Sequence, residues 1–196
     1  MYVIGLTGGI ASGKSHAASF FAKNGAYMLN CDSLGHQTYV KGTLAYSKIV
    51  SAFGSDILDD NDEIARRALG AIVFSDSIKM EQLTSITWPA IKELIKINLN
   101  DFKDKNSKAV VILEAAVLIE AGWQDLADQI LVIHTPRELA VNRVINRDNL
   151  NAKQAEERID SQLSNEKRIK YADITIENSG DLHDFESKLT SFWEQI

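Results

Sequence analysis

The chain has 196 residues, 45% of them hydrophobic and 24% charged, the balance of an ordinary globular domain. Twenty-one Lys and Arg against 27 Asp and Glu give a net charge of −6, which argues against gripping nucleic-acid polymers but leaves room for a local basic pocket. The single cysteine, Cys31, excludes an internal disulfide framework and fits a reducing, cytoplasmic compartment. No apolar run approaches the roughly 20 residues of a membrane span, so no membrane partner is expected.

In chain order, the first apolar run, Tyr2–Leu6, reads as a buried strand rather than a targeting signal, since it lacks a basic flank and runs straight into Gly-Gly. The fold is therefore expected to begin almost at residue 1, with no transit segment. Further strands are expected at Ala26–Asn30, Ala109–Leu113, Gln129–His134 and Asp173–Glu177. Val110–Leu113 and Ile130–Ile133 are continuously apolar, as in strands covered on both faces. Strands alternating with helices imply βαβ units and a parallel sheet.

From about Thr43 to Lys105 the spacing is helical almost throughout, as at Ile64, Ala68, Ala71 and Ile72, and again at Ile91, Leu94, Ile95 and Leu99. Pro89 is expected to interrupt it, with Gly54 and Gly70 as punctuation. So long a helical stretch between two strands exceeds one crossover, so an inserted helical subdomain is expected. A second helical stretch, Arg137 to Lys170, carries dense charge, including Arg143, Arg147, Arg158, Lys167 and Arg168.

Gly8-Gly9-Ile10-Ala11-Ser12-Gly13-Lys14-Ser15 matches G-x-x-x-x-G-K-[ST] in full, between an apolar strand and a helical pattern over Ser15 to Lys23. Its glycines let successive N–H groups face a phosphate, Lys14 reaches the β- and γ-phosphates, and the Ser15 hydroxyl is a ligand for Mg²⁺. The stretch is read as a nucleoside triphosphate site, formed by Gly8, Gly9, Ala11, Ser12, Gly13, Lys14 and Ser15. His16 sits beside it and fits an exposed position at the helix start better than a catalytic one.

Asp32-Ser-Leu-Gly35 spells DxxG, but only 18 residues after the lysine, and no Asn-Lys pair occurs, so a GTPase switch is not expected. A short chain with a helical insert and an Arg-rich lid suits phosphoryl transfer to a small acceptor, because water must be kept from the γ-phosphate. Such chemistry needs an acceptor-orienting carboxylate, a metal-side carboxylate and cations on the moving phosphoryl. Asp32, at the end of the second strand, fits the first role, and fits a helix N-cap equally well. Glu114 ends a buried strand and can act on Mg²⁺ through water. Glu120, six residues on, fits either an acceptor contact or a solvated surface. Arg147 is read as a phosphate clamp. Arg143, one turn earlier on the same face, fits an ion-paired surface or a nucleotide contact.

With those residues in place, the chain resembles the dephospho-CoA kinase family along nearly its whole length. The start Ile4 to Ser15 is similar to the family's T-G-G-I…G-K-S loop, and Asn30-Cys31-Asp32 sits where the family has D-x-D. Arg66 to Gly70 resembles R-x-x-L-[GR], Trp88-Pro89-Ala90-Ile91 occupies the H-P-x-I position, and Glu114 to Glu120 resembles D-x-P-L-L-F-E. Arg143 through Asp148, then Arg158 and Gln162, are similar to the lid pattern R-x-x-x-R-D…R-x-x-Q. The wording from Ala115 to Trp123 is closest to the kinase domain of bifunctional CoA synthases. Asn30, Trp88 and His16 replace the family's Asp, His and Thr.

The resemblance implies an α/β, P-loop NTPase-type three-layer sandwich with a five-stranded parallel sheet. It would comprise a core (about 1–42, 106–136 and 171–196), a helical acceptor-binding insert (about 43–105) and a helical lid (about 137–170). It also implies transfer of the γ-phosphoryl of ATP, with Mg²⁺, to the ribose 3′-hydroxyl of dephospho-CoA. Asp32 is then the base and a metal-side group, and Lys14 and Arg147 are catalytic. His16 and Arg143 are further nucleotide contacts, and Arg66, Trp88 and Glu120 are acceptor contacts. A monomer or weak homo-oligomer is expected. A nucleoside or nucleotide kinase and a catalytically weakened nucleotide-binding module are the alternatives.

Overall fold

The apolar runs become strands because each can bury both faces, and helices on either side supply the cover. In a computed structural model describing residues 1–105 and 108–196, they are β1 (Tyr2–Gly8), β2 (Tyr27–Asn30), β3 (Val110–Glu114), β4 (Gln129–His134) and β5 (Ile174–Glu177). They form one parallel sheet in the order β2-β3-β1-β4-β5, with Ile4 opposite Ile112 on one side and Gln129 on the other. β1, which leads into the phosphate loop, is thus central, and Ile4 and Leu6 are wholly buried.

Two helices cover one face: α1 (Lys14–Lys23), immediately after the loop, and α9 (Leu182–Trp193) at the C-terminus. Ala17, Ala18 and Phe21 of α1 meet Phe185, Leu189 and Phe192 of α9 over Ile4, Leu6, Ile112, Leu131 and Ile133. On the other face, a side chain at Gly5 would strike Ile130, Leu118 and Ala127 within about 3 Å, so a glycine there permits the close approach of the turn after β3. The result is the expected three-layer α/β sandwich.

The lid region consists of α6 (Arg137–Asp148), α7 (Ala152–Asp160) and α8 (Asn165–Ile169). Asn151 caps α7 through a reciprocal box with Gln154, which satisfies two backbone donors at once.

The chain divides into two compact units, Met1–Leu29 with Asn106–Ile196, and Asn30–Lys105. The second unit therefore starts earlier than the helical spacing suggested, at Asn30 rather than near residue 43; the expected edge of the core at residue 106 lies outside the described residues. This unit holds α2 (Cys31–Thr38), α3 (Leu44–Phe53), α4 (Arg66–Val73) and α5 (Ser77–Lys105), around a core that includes Ile49, Ile57, Ile64, Leu69, Val73 and Leu83. The stretch from Gly54 to Ala65 is a 3₁₀ turn and an isolated bridge between Leu58 and Ile64, not helix. Pro89 does not interrupt α5, which runs for 29 residues through it. A proline inside a helix costs about 3 kcal/mol. The buried stripe Leu83, Thr87, Ile91, Ile95 and Leu99 continues on both sides of it and outweighs that cost. Among the described residues, no helix is long and apolar enough to cross a membrane.

Candidate active site

The phosphate loop forms where β1 leaves the centre of the sheet and α1 begins. Gly13 caps α1 with φ 98°, in the left-handed region, and a Cβ there would lie 2.4 Å from the Asn178 amide nitrogen. Glycine is required on both counts. Gly8 is equally constrained, since a Cβ would fall 2.3 Å from the carbonyl oxygen of Ile133. The first turn of α1 carries no acidic residue and no side-chain cap, so its N–H groups and positive dipole end stay open to an anion.

Beside the loop lies a cavity of about 770 Å³ lined by Gly8 through His16, Ala116, Arg143, Asn146, Arg147, Gln162 and Asn178. The site residues proposed from sequence in the first unit therefore come together there, apart from Glu114, held through Lys14, and Glu120. Lys14 Nζ lies 2.5 Å from Glu114 Oε1, and the two side chains are only 13% and 9% exposed. The buried acid at the end of β3 thus aims the loop's ammonium group.

For Mg²⁺, the donor chemistry fits: a Ser15 hydroxyl at the helix start and a buried Glu114 carboxylate one contact away through Lys14. No group of three His, Cys, Asp or Glu is placed to hold a metal ion among the described residues.

The two lid arginines part company. Arg143 turns onto the loop, where its guanidinium donates to the Ala11 carbonyl (3.2 Å), the Thr135 hydroxyl (3.3 Å) and Asn178 Oδ1 (3.4 Å). Arg147 forms a bidentate pair with its neighbour Asp148 at 2.7 and 2.9 Å, and Arg158 donates to the same carboxylate at 2.6 Å. The Arg147 hydrogen bonds hold the Asp148 carboxyl below the usual carboxylate range, with the charges of Arg147 and Arg158 adding to the effect. Because the folded-state pKa is depressed, this pairing contributes above the ordinary carboxylate value and is lost as pH falls through the depressed one. At neutral pH Asp148 is therefore charged and paired with Arg147, in a contact exposed enough to be exchanged.

His16, at the rim of the cavity, places Nε2 2.9 Å from Glu186 on α9, half-exposed, which is the surface position its sequence context favoured. Glu120 faces inward, 3.2 Å from the buried Arg168.

The remaining candidates lie in the second unit. Asn30 is the N-cap of α2: its side-chain oxygen accepts from the Ser33 N–H at 2.9 Å. Of the two roles open to Asp32, the cap thus belongs to Asn30, and Asp32 stands exposed in the first turn of α2, where the helix dipole favours a carboxylate. Arg66 is exposed at the start of α4 and its charge offsets part of the burial that raises the Tyr39 phenol. Trp88 is half-buried on α5, next to Pro89.

Asn178 was not among the candidates read from sequence. Its amide donates to the Ser12 carbonyl at 2.9 Å and its Oδ1 faces Arg143, so it ties the loop to the end of β5 from 166 residues away. The local signal is a polar turn, Asn178 to Gly180, directly after β5. Replacing Asn178 with alanine removes buried hydrogen bonds and leaves the Ser12 carbonyl without its donor. Asn178→Ala is therefore expected to destabilise the protein by about 1–3 kcal/mol, read as a lower urea midpoint, and to raise KM for ATP.

A parallel sheet with a complete phosphate loop, a cationic lid and a buried acid at the end of β3 defines a P-loop phosphotransferase. The dephospho-CoA kinase family model matches residues 2–184. The chain belongs to the dephospho-CoA kinase family. It is 38% identical to the dephospho-CoA kinase of Geobacter sulfurreducens, over 98% of either chain. With that of Fusobacterium nucleatum the identity is 40%, over 99% of this chain and 98% of the relative. The solved dephospho-CoA kinase of Campylobacter jejuni superposes with a TM-score of 0.74 at 28% identity, covering 98% of this chain and 96% of that one.

Proposed function

We propose that this chain transfers the γ-phosphoryl group of ATP to the ribose 3′-hydroxyl of dephospho-CoA, giving CoA and ADP, the last step of coenzyme A synthesis, in the cytoplasm. The observation that carries this reading is the family match across residues 2–184 of a chain whose phosphate loop is intact. In the reaction, the acceptor 3′-oxygen attacks the γ-phosphorus, the bond to the β-phosphate bridging oxygen breaks, and ADP leaves with that electron pair. Asp32 takes the hydroxyl proton.

Lys14, aimed by Glu114, neutralises charge shared between the leaving and transferring phosphates. Arg143 holds the loop that supplies the backbone donors, and Arg147 exchanges Asp148 for a nucleotide phosphate as the lid closes. The loop glycines, Ala11 and Ser12 present N–H groups to the phosphates. Ser15 and Asp32, with Glu114 acting through water, would hold Mg²⁺, which would supply charge withdrawal from the phosphate oxygens. Arg66 and Trp88 are proposed acceptor contacts, the first by charge and the second by stacking. Glu120 joins them if it exchanges Arg168 for the acceptor.

The test is ADP release coupled to acceptor addition, with dephospho-CoA, AMP, CMP and shikimate run in parallel. Dephospho-CoA alone is expected to support rapid turnover. Faster turnover with AMP or CMP would make the chain a nucleotide kinase, and ATP binding without acceptor-dependent ADP release would make it a nucleotide-binding module.

A further inference from the structure

Arg168, on α8 at the end of the lid, is 1% exposed, and its guanidinium reaches Glu120 with Nη2 at 3.2 Å. Among the described residues, its Nε and Nη1 meet no acceptor and the second oxygen of Glu120 meets no donor. A buried pair so incompletely matched is a poor source of stability: apolar side chains of the same volume would hold the fold as well or better. Its place is more telling. A Cβ built on Gly9 would lie 3.3 Å from Arg168 Nη1, 3.6 Å from Asn165 Oδ1 and 3.9 Å from Gln162 Oε1. Gln162 Oε1 also accepts the N–H of Ile10 at 2.8 Å, and Asn165 is fixed by donating to the Thr135 carbonyl at 2.8 Å.

The outer turn of the phosphate loop therefore rests on a polar cradle from the end of the lid, while Asn178 and Arg143 hold Ser12 and Ala11.

We propose that Arg168, with Glu120 as its counter-ion, is a positioning residue that braces Gly9–Ile10 and so keeps the phosphate loop in its nucleotide-binding shape. The inference rests on the reading of the loop as the ATP site and concerns a residue that touches neither nucleotide nor acceptor. The physical requirement is preorganisation: loop N–H groups help only if they already point where phosphate charge will sit. A displacement of about 1 Å in such a site costs on the order of a hundredfold. The φ of Gly9 lies outside the left-handed region, so a side chain there is opposed by Arg168, Asn165 and Gln162 rather than by left-handed backbone strain.

The experiment uses the full chain and a non-hydrolysable ATP analogue with Mg²⁺, with KM for each substrate, kcat and Tm alongside. Arg168→Met is expected to weaken analogue binding and raise KM for ATP by about tenfold or more, while Tm stays close to wild type. Arg168→Lys, which keeps the charge but not the planar fork, recovers part of the loss. Gly9→Ala is expected to show the same loss in the wild type and little further loss when added to Arg168→Ala, where the contact is gone.

Analogue affinity and kcat unchanged in Arg168→Met, or an equal cost of Gly9→Ala in both backgrounds, would overturn the proposal. Should the Arg168 variants not fold, Glu120→Gln decides, since it takes the counter-ion from Arg168: weaker nucleotide binding at unchanged Tm supports the brace, and unchanged binding refutes it. A wild-type protein that does not bind the analogue at all would instead sink the nucleotide reading of the loop.

Discussion

Asp32→Asn is expected to lower kcat by about 10²–10⁴ while leaving the affinity for ATP unchanged. The substitution keeps the size of the side chain but replaces an anionic acceptor with a neutral amide. The amide can neither take a proton nor help hold Mg²⁺, so the affinity for ATP is read without the metal. α2 should be undisturbed, because its cap is Asn30 and the bond from Ser33 N–H to Asn30 Oδ1 does not involve Asp32. That separation makes the variant a clean probe: a fall in turnover cannot be assigned to a lost cap. Steady-state kcat by ADP release and nucleotide affinity by titration are the two measurements. Turnover within a few-fold of wild type would remove Asp32 from the role of base and leave the 3′-hydroxyl to be activated by position alone.

Lys14→Met should be the most damaging change in the first unit, in two separable ways. Loss of the ammonium group removes a cation from the transferring phosphoryl, and losses of 10²–10³ in kcat are typical for one such preorganised group. The same substitution strips the cation from Glu114, whose side chain is 9% exposed. Removing one member of a buried pair costs about 3–5 kcal/mol, less whatever the carboxylate's other interactions recover. Combining Lys14→Met with Glu114→Gln should return most of the stability and none of the activity. Urea midpoints read the first effect and single-turnover phosphoryl transfer reads the second. A double variant as unstable as Lys14→Met alone would mean that the ammonium group supports the loop by packing rather than by charge.

Much of this protein is written locally in its sequence. The strands could be placed to within one or two residues because Val110–Leu113 and Ile130–Ile133 have no polar face to offer solvent, and only the middle of a sheet accepts them. The phosphate loop was legible for a similar reason: its geometry depends on glycines at fixed offsets and on the strand and helix that flank it, all within about twenty residues. The long helix was less so. Its proline reads as a break, and only the continuous apolar stripe on either side, packed in the fold, carries the helix through Pro89.

What the tertiary structure decided were matters of partnership. Asn30, Cys31 and Asp32 lie side by side, and nothing in their identities says which carboxyl or amide caps α2; the backbone direction at Asn30 settles it. Arg143 and Arg147 project from one face of α6, so spacing treats them alike. The approach of the loop carbonyl at Ala11 captures the first, and Asp148 captures the second. Asn178 and Arg168 act on the loop from more than 150 residues away, by contacts that leave no periodicity or motif behind. A sequence fixes what each side chain can donate or accept within its own turn of chain. Which of several equivalent groups is actually engaged depends on distances across the fold, and those exist only once the sheet has brought the ends of β1, β3, β4 and β5 to the same edge.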